Sequence, residues 1–225
     1  HKRVLEQARF FDELHVVVFS SLWSHRGLKK VQISKNVWLY PTRSWSKLLY
    51  VRNAVRLASS IYTHFEQKED VVVTTQDCFE AGLVGLKVKK RFGVSFQVQI
   101  HTDFLSPHFA HVFLNRIRVR IARKTLPEAD HIRVVSKRIA DSITASFKIS
   151  PEKISVLPVF VDIQTIINAP IKTILHKKYP QFKFIILMAS RLTKEKNIDM
   201  ALNAFSRVRK AFTQAGLVIV GSGPE

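Results

Sequence analysis

The sequence predicts an α/β protein built on parallel sheets, and three observations lead to this fold class. Short apolar or β-branched runs alternate along the chain with longer segments of helical periodicity. The short runs are almost uniformly apolar, which is typical of strands buried on both faces. Apolar residues make up 46% of the 225 residues, which excludes a disordered chain. This alternation favours βαβ units, with helices on both faces of each sheet.

The predicted strands and helices follow one another along the chain. The strands are expected at Val16–Phe19, Val71–Thr74, Phe96–Ile100, Ile132–Val135, Ile154–Leu157, Phe184–Met188 and Leu217–Val220. The helices are expected at Leu48–Phe65, Phe79–Phe92, Phe113–Leu126, Arg138–Phe147 and Met200–Phe212.

A change of pattern near the last third of the chain predicts two lobes. A proline-containing irregular stretch begins at Pro158, and a new strand–loop–helix unit starts near Phe182. We expect a Rossmann-like lobe over 1–165, a linker over 166–181 and the start of a second Rossmann-like lobe over 182–225. One lobe with an insertion is the alternative. Because the chain starts at His1 and stops just after a strand, we expect a fragment whose second lobe is truncated.

The charge balance favours anionic partners. The chain carries 36 Lys and Arg against 17 Asp and Glu, a formal net charge of +19. Such a charge suits nucleic acid, phosphorylated ligands or an acidic membrane face without choosing among them. The single cysteine, Cys78, excludes an intramolecular disulfide and a multi-thiolate metal site, and we expect it to pack as a small apolar residue in a reducing compartment. No apolar run approaches the ~18 residues that a membrane-spanning helix needs.

A basic loop follows the strand at Phe184–Met188. It holds Arg191, Lys194 and Lys196, and a helix is expected from about Asn197. A helix N-terminus presents unpaired N–H groups and partial positive charge, so cations beside it favour binding of a diphosphate. The alternative is an ordinary solvated first turn.

A glycine-rich loop follows the next predicted strand. Gly221-Ser222-Gly223-Pro224 comes directly after Leu217–Val220. Glycine lets the backbone approach a ligand closely, and ligands of open α/β sheets lie at the carboxyl ends of the strands. A basic and a glycine-rich loop on successive strands together predict a ligand site.

These two segments, S-R-L-T-K-E-K-N and L-V-I-V-G-S-G-P-E, resemble the donor-binding half of family 4 glycosyltransferases, which have the two-lobed GT-B fold. Further segments agree in order with the family's N-terminal lobe and linker: Gln99–Asp103, Ala129-Asp130, Val134–Lys137 and Lys153–Pro158 with Val161-Asp162. The resemblance covers roughly residues 70–225.

The resemblance implies roles for individual residues. Arg191 and Lys196 match the cations that neutralise the donor diphosphate, and His101 matches a histidine that faces the donor sugar. The matches to the nucleotide and cleft loops are Gly221, Gly223, Asp103 and Ser136. The family needs no bound metal, so we expect none and no other cofactor. It uses a nucleotide-sugar donor and a glycan or lipid-linked acceptor, and the matching members retain anomeric configuration.

The sequence departs from the family pattern at several places. Ser190 stands where the family has glycine before the arginine, and Val159-Phe160 stand where its linker has Asn-Gly. The family's paired glutamates would lie beyond Glu225, and the glycine-rich loop of its first strand is absent. We therefore expect the chain to hold half of a donor site and to be inactive by itself.

A basic helix is the last feature with two interpretations. At about 100° per residue, Arg116, Arg120 and Arg123 share one arc of the helix Phe113–Leu126, beside an apolar arc. The arginines suit an anionic membrane surface, which would place the protein at the inner face of the membrane in the cytoplasm. A solvated outer helix face is the alternative.

We expect a glycosyltransferase. A nucleotide-sugar epimerase or a phosphorylase of the same fold is one alternative. A basic polyanion-binding module is another, although the sequence carries no nucleic-acid recognition motif and no nucleic-acid partner is expected.

Overall fold

The computed structural model describes residues 2–23, 29–66, 68 and 70–225. The chain divides into two compact units, His1–Val159 and Phe160–Glu225, and each is described by itself. The helices of the first unit are α1 (Lys2–Gln7), α2 (Tyr50–Tyr62), α3 (Glu80–Phe92), α4 (Pro107–Ala110), α5 (Phe113–Thr125) and α6 (Lys137–Phe147). Its strands are β1 (Leu14–Val18), β2 (Val31–Ser34), β3 (Val37–Pro41), β4 (Val72–Thr75), β5 (Ser95–Ile100), β6 (His131–Val134) and β7 (Ile154–Val156).

The first unit contains a three-stranded sheet of order β1-β3-β2. Strand β1 pairs with β3 in parallel, while β2 and β3 form an antiparallel hairpin across a turn at Lys35 and Asn36. This hairpin was not predicted from the sequence. Its two strands are short, and a Lys-Asn turn lacks the glycine that marks the commonest two-residue hairpin turns.

The second sheet is fully parallel, with the order β4-β5-β6-β7. Its register pairs Val98 with both Thr75 and Ile132, and Ile132 with Ile154. Helices α3, α5 and α6 contribute apolar side chains to one core with the β5 and β6 residues that face them. Phe96, Val98 and Val134 are fully buried there. The predicted βαβ alternation is thus confirmed in this part of the chain.

The opposite face of this sheet is polar, whereas the sequence predicts almost uniformly apolar strands, and Gln99 on that face is itself buried, with 8% of its surface exposed. Gln99 donates a hydrogen bond to Thr74 Oγ1 over 3.1 Å, and Arg133 donates to Gln99 Oε1 over 2.9 Å. Because successive side chains of a strand point to opposite faces, the apolar core residues alternate with these polar ones. The β5 run contains Gln97 and Gln99 and the β6 run contains Arg133, a period-2 pattern that is typical of a sheet with one polar face.

Asp130 links helix α3 to strand β5 through hydrogen bonds. Its carboxylate accepts hydrogen bonds from Lys89 Nζ over 2.6 Å and from the Phe96 backbone N–H over 2.8 Å. Burial opposes ionisation of this carboxyl, but the bonds from Lys89 and Phe96 outweigh it and lower the pKa of Asp130 below its ordinary value. The carboxylate form therefore stabilises the fold.

The second unit is a single βαβ motif with two short helices before it. Helices α7 (Ile163–Ile167) and α8 (Leu175–Lys178) lie in the region predicted as irregular and as linker. Strand β8 (Phe184–Ala189) pairs in parallel with β9 (Ala215–Val220), and α9 (Ile198–Ala211) connects them.

The strands of this unit differ from the prediction in their burial. Phe184 and Leu187 lie on opposite faces of β8 and are 65% and 53% exposed. Both faces of this strand are therefore exposed, whereas the sequence predicts burial on both. Among the described residues, none of the helices has both the length and the apolar character that crossing a bilayer requires.

Replacing Asp130 by Asn should destabilise the first unit by about 1–2 kcal/mol, because a charge-assisted hydrogen bond is lost. Thermal unfolding followed by circular dichroism would measure this.

Since the folded pKa of Asp130 is depressed, the stabilisation is present above the ordinary Asp pKa of about 3.9 and is lost as pH falls through the folded value. The difference between wild type and Asp130→Asn should therefore shrink in acid. Glu128→Gln, which alters only a 3.5 Å surface pair with Lys90, is the matched control. Equal melting of the Asp130 variant and wild type at neutral pH would contradict this role.

Candidate functional site

The basic loop of the second unit follows strand β8 directly. Its chain passes from Ser190 through Arg191 into a short 3-10 turn at Lys194–Lys196, and α9 begins at Ile198. Asn197, between the turn and the helix, adopts a left-handed conformation with φ 49°. The predicted basic loop is therefore present, and Arg191 is 75% exposed at the side chain.

Arg191 and Lys196 share one carboxylate. Arg191 Nη2 lies 3.0 Å from Glu195 Oε1, and Lys196 Nζ lies 3.8 Å from the same oxygen. All three side chains are largely exposed, so the pairs add little stability. The arrangement nevertheless shows that these two cations reach a common anionic oxygen.

The glycine loop packs against this basic loop through backbone contacts. The Ser190 N–H donates to Val220 O, and the Leu192 N–H donates to Ser222 O, both over 3.0 Å. A Cβ on Gly221 would overlap the Ser190 carbonyl oxygen, and one on Gly223 would overlap that of Leu192. The two glycines are thus required for close approach of the loops, and the nucleotide contact implied by the resemblance stays a prediction.

His101 lies at the carboxyl edge of the parallel sheet in the first unit. It follows β5 directly, and Gln76 follows the neighbouring strand β4. His101 Nε2 lies 3.2 Å from Gln76 Oε1. Because the amide oxygen only accepts, Nε2 carries the proton in this pair, and Nδ1 is left as the acceptor.

The environment of His101 favours the neutral imidazole. Burial lowers the pKa of His101, and the nearby charge of Arg133 lowers it further. Arg133 lies on β6, where its guanidinium donates to Gln99 and to the Leu157 carbonyl oxygen. At neutral pH the imidazole can therefore accept a hydrogen bond from a hydroxyl group.

Asp103 and Ser136 both have partners within the first unit. Asp103 Oδ2 forms an ion pair with Arg138 over 2.9 Å and is 19% exposed at its side chain. Ser136 caps α6, because its Oγ accepts from the Ile139 N–H over 3.4 Å. Their contacts to a ligand stay predictions, and the structure adds that each also has a local role.

Three residues of the candidate site were not predicted from the sequence: Gln76, Arg138 and Glu195. Glu195 lies within the quoted basic motif, so its position four residues after Arg191 was a usable signal. The contact of Gln76 with His101 can be recognised only when β4 and β5 are known to pair. The contact of Arg138 with Asp103 can be recognised only when the positions of the loops after β5 and β6 are known.

The arginines of α5 lie on an exposed surface. Arg120 and Arg123 are exposed, and neither has an ion-pair partner among the residues that the structure describes. Part of the predicted apolar arc is exposed as well, since Phe113 and Leu114 are 71% and 63% accessible. The cations therefore lie beside exposed apolar side chains.

Cys78 is buried, as expected for a residue that packs as a small apolar side chain, with 1% of its surface exposed. Burial raises the pKa of its thiol far above the ordinary value, so it remains protonated. Within 2–23, 29–66, 68 and 70–225, no group of three His, Cys, Asp or Glu residues could hold a metal ion. The expectation that no metal is needed stays a prediction.

Comparison with known protein families identifies both segments. Residues 2–165 match the description Glycosyltransferase Family 4, and residues 172–225 match Glycosyl transferases group 1. The chain belongs to glycosyltransferase family 4. The resemblance carried by the basic and glycine loops is thereby confirmed.

Relatives of this family 4 chain extend the comparison. Alpha-monoglucosyldiacylglycerol synthase of Acholeplasma laidlawii is 24% identical over 206 residues, which cover 84% of this chain and 50% of the relative. The chain therefore spans half the length of this relative. HepE of Anabaena, solved in complex with UDP, superposes with a TM-score of 0.58 at 14% identity, covering 83% of this chain and 48% of HepE. HepE with UDP and glucose gives a TM-score of 0.53 at 16% identity, with the same coverage. These structures show that the fold is of the GT-B type, of which the chain covers a part.

Replacing Gln76 by Glu should raise the pKa of His101, because a carboxylate beside Nε2 favours the imidazolium. NMR titration of the imidazole C–H resonances would measure it, with His101→Gln used to assign the signal. Gln32→Glu is the matched control, because it introduces the same charge on strand β2. An unchanged His101 titration in Gln76→Glu would contradict the contact between the two side chains.

Proposed function

We propose that the protein containing this chain transfers a sugar from a nucleotide-diphosphate sugar to an acceptor hydroxyl, with retention of anomeric configuration. Membership of glycosyltransferase family 4 supports this reaction class. The presence of UDP in the HepE structures supports a nucleotide diphosphate as the leaving group. The same comparisons favour transfer over the epimerase and phosphorylase alternatives.

The observation that carries the proposal is the convergence of Arg191 and Lys196 on one oxygen of Glu195. Two cations that reach a common carboxylate oxygen can also reach the oxygens of a diphosphate. Negative charge on that diphosphate grows as the glycosidic bond breaks, so fixed cations stabilise the transition state more than the bound donor. Arg191 can bind phosphate oxygens in a bidentate manner, and Lys196 acts as a point charge.

In this proposal the donor diphosphate displaces Glu195 from the two cations. The carboxylate balances the charge of the loop while no donor is bound. We assign no metal and no other cofactor to the reaction, because the two side chains supply the positive charge that a divalent cation would otherwise supply.

His101 is assigned the hydrogen bond to a sugar hydroxyl. The Gln76 contact leaves Nδ1 free to accept, and the lowered pKa keeps the ring neutral. A neutral acceptor orients a hydroxyl without adding positive charge beside an anomeric carbon that itself becomes positive. Gln76 is then a positioning residue that selects the tautomer.

The acceptor is proposed to be a glycan or lipid-linked sugar acceptor at the cytoplasmic face of a membrane. The relative from Acholeplasma laidlawii is named for a glucosylated diacylglycerol, which supports a lipid acceptor. The exposed arginines of α5 (Arg116, Arg120 and Arg123), beside exposed Phe113 and Leu114, support attraction to anionic lipid headgroups.

Arg191→Ala should lower turnover more than about tenfold, because it removes a cation aimed at the leaving group. Turnover is measured as released nucleotide and as transferred sugar, across a panel of nucleotide-diphosphate sugars. Lys210→Ala, which removes an exposed cation from α9, is the matched control and should retain activity.

Two outcomes would contradict the proposal. Near-normal turnover of Arg191→Ala would remove this residue from the mechanism. Nucleotide release without transferred sugar would favour an epimerase, and a requirement for inorganic phosphate would favour a phosphorylase.

The double variant Arg120→Gln/Arg123→Gln should bind anionic vesicles less tightly and with a shallower salt dependence, because two cations near the lipid surface are lost. Co-sedimentation with phosphatidylglycerol vesicles over a range of ionic strengths measures both quantities. Identical binding curves for the variant and wild type would exclude α5 as the contact surface.

A further inference from the structure

The carboxyl edge of the three-stranded sheet is followed by three large apolar side chains that are strongly exposed. Trp23 follows strand β1 and is 79% exposed. Trp45 and Leu48 follow strand β3 and are 75% and 93% exposed. A soluble surface rarely shows such side chains as a contiguous group, and a group of this kind indicates an interaction site.

Backbone hydrogen bonds bring the two loops together. The parallel pairing of β1 and β3 continues past the strands, since Ser44 N–H donates to Ser20 O over 2.8 Å and Leu22 N–H donates to Ser44 O over 3.0 Å. Ser21 and Ser44 form a parallel bridge. Trp23 and Trp45 therefore each lie within two residues of one bridged pair, on neighbouring chain segments.

The loop after β3 is held in place by buried polar groups. Ser44 is fully buried, and its Oγ accepts from Asn53 Nδ2 over 2.9 Å. The Arg43 N–H donates to Ser20 Oγ over 3.0 Å. Arg43 also adopts a left-handed backbone with φ 46°, an uncommon and strained conformation for a non-glycine residue. The exposure of Trp45 is thus a property of an ordered loop.

The sequence segment that carries this edge has charges of one sign. Between Leu14 and Phe65 the sequence contains no Asp or Glu, while it contains eight Lys or Arg: Arg26, Lys29, Lys30, Lys35, Arg43, Lys47, Arg52 and Arg56. Arg43 and Lys47 lie on the same loop as Trp45 and Leu48. In the part of the chain that the structure describes, neither forms an ion pair.

We propose that Trp23, Trp45 and Leu48, which we call the tryptophan edge, dock on an anionic lipid bilayer. Indole rings favour the boundary between headgroups and hydrocarbon, where Trp is enriched in membrane proteins. Leu48 inserts beside them, and Arg43 and Lys47 meet the lipid phosphates. This surface is separate from α5, and the proposal does not depend on glycosyl transfer.

The chemistry of the edge favours a bilayer over a protein or a nucleic acid. The cores of protein interfaces are depleted of lysine, whereas Lys47 directly precedes Leu48 here. Nucleic-acid surfaces use aromatic rings that stack on bases, and they have no use for an aliphatic side chain that is more exposed than either indole. A bilayer surface offers hydrocarbon and phosphate within a few ångströms of each other.

Tryptophan fluorescence tests the proposal directly. Vesicles of phosphatidylcholine, with or without phosphatidylglycerol, carry brominated acyl chains that quench inserted indoles. Quenching is expected only with phosphatidylglycerol present. Trp38 is the internal reference, because its ring stacks on His15 with a centroid distance of 4.7 Å. The double variant Trp23→Phe/Trp45→Phe retains Trp38. It should remain folded, and its tryptophan fluorescence should no longer be quenched.

Binding is measured separately by co-sedimentation with the same vesicles. The double variant Trp45→Ala/Leu48→Ala should bind about tenfold more weakly, because two apolar side chains no longer enter the bilayer. Phe10→Ala is the matched control, since Phe10 is 84% exposed beside Arg9 but lies before β1, at the amino end of the sheet. It should bind as wild type does. Circular dichroism verifies the fold of each variant.

Three results would overturn the proposal. The first is the absence of binding to phosphatidylglycerol vesicles. The second is binding to these vesicles without quenching of Trp23 and Trp45, combined with a loss of binding in Arg120→Gln/Arg123→Gln. That result would assign the contact to α5 alone. The third is a single-stranded oligonucleotide that competes with the vesicles on equal terms and protects Trp45 from aqueous quenchers. That result would make the edge a polyanion site.

Discussion

The parallel pairing of neighbouring strands is the constraint on which the candidate site depends. Parallel strands end at the same edge of a sheet, so residues that directly follow them are brought together although they are far apart in sequence. Gln76 and His101 meet in this way after β4 and β5. The loops at Arg191 and Gly221 meet after β8 and β9, where backbone bonds continue the pairing. Only glycine fits at Gly221 and Gly223, because the backbones touch there.

The second constraint is the shortage of acidic residues. The chain has 17 Asp and Glu against 36 Lys and Arg, so many cations must remain unpaired. Several acids serve the fold: Asp130 joins α3 to β5, and Glu80 pairs with Arg118 between α3 and α5. Glu195 instead pairs with the cations of the basic loop. In the part of the chain that the structure describes, Arg120 and Arg123 on the exposed face of α5 have no acidic partner, so they are available for anionic ligands.

Sequence patterns predicted most of the fold because the signals are local. The buried strands β5 and β6 and the helices between them follow from hydrophobic periodicity. The hairpin of β2 and β3 was missed because its strands are short and its turn lacks glycine. An apolar character on both faces was wrong for β5, where Gln97 and Gln99 alternate with apolar residues, and burial on both faces was wrong for β8, whose side chains are exposed on both faces.

The candidate site was predicted only in part, for a physical reason. The basic loop and the glycine loop are contiguous segments, and their motifs identified the family. The partners of His101 and Asp103 come from other strands and loops, so no local pattern contains them. The tautomer of His101 depends on Gln76, which lies 25 positions earlier in the chain. Such pairs are visible only in three dimensions.

The most direct test of the central claim compares the binding of a nucleoside diphosphate with that of the matching nucleoside monophosphate. Isothermal titration calorimetry would be done with the protein containing this chain and with its Arg191→Ala variant. If Arg191 and Lys196 bind the diphosphate, wild type prefers the diphosphate by about tenfold or more, and the variant loses most of that preference. Equal affinity of wild type for the two nucleotides, or an undiminished preference in Arg191→Ala, would contradict the assignment of this loop to the leaving group.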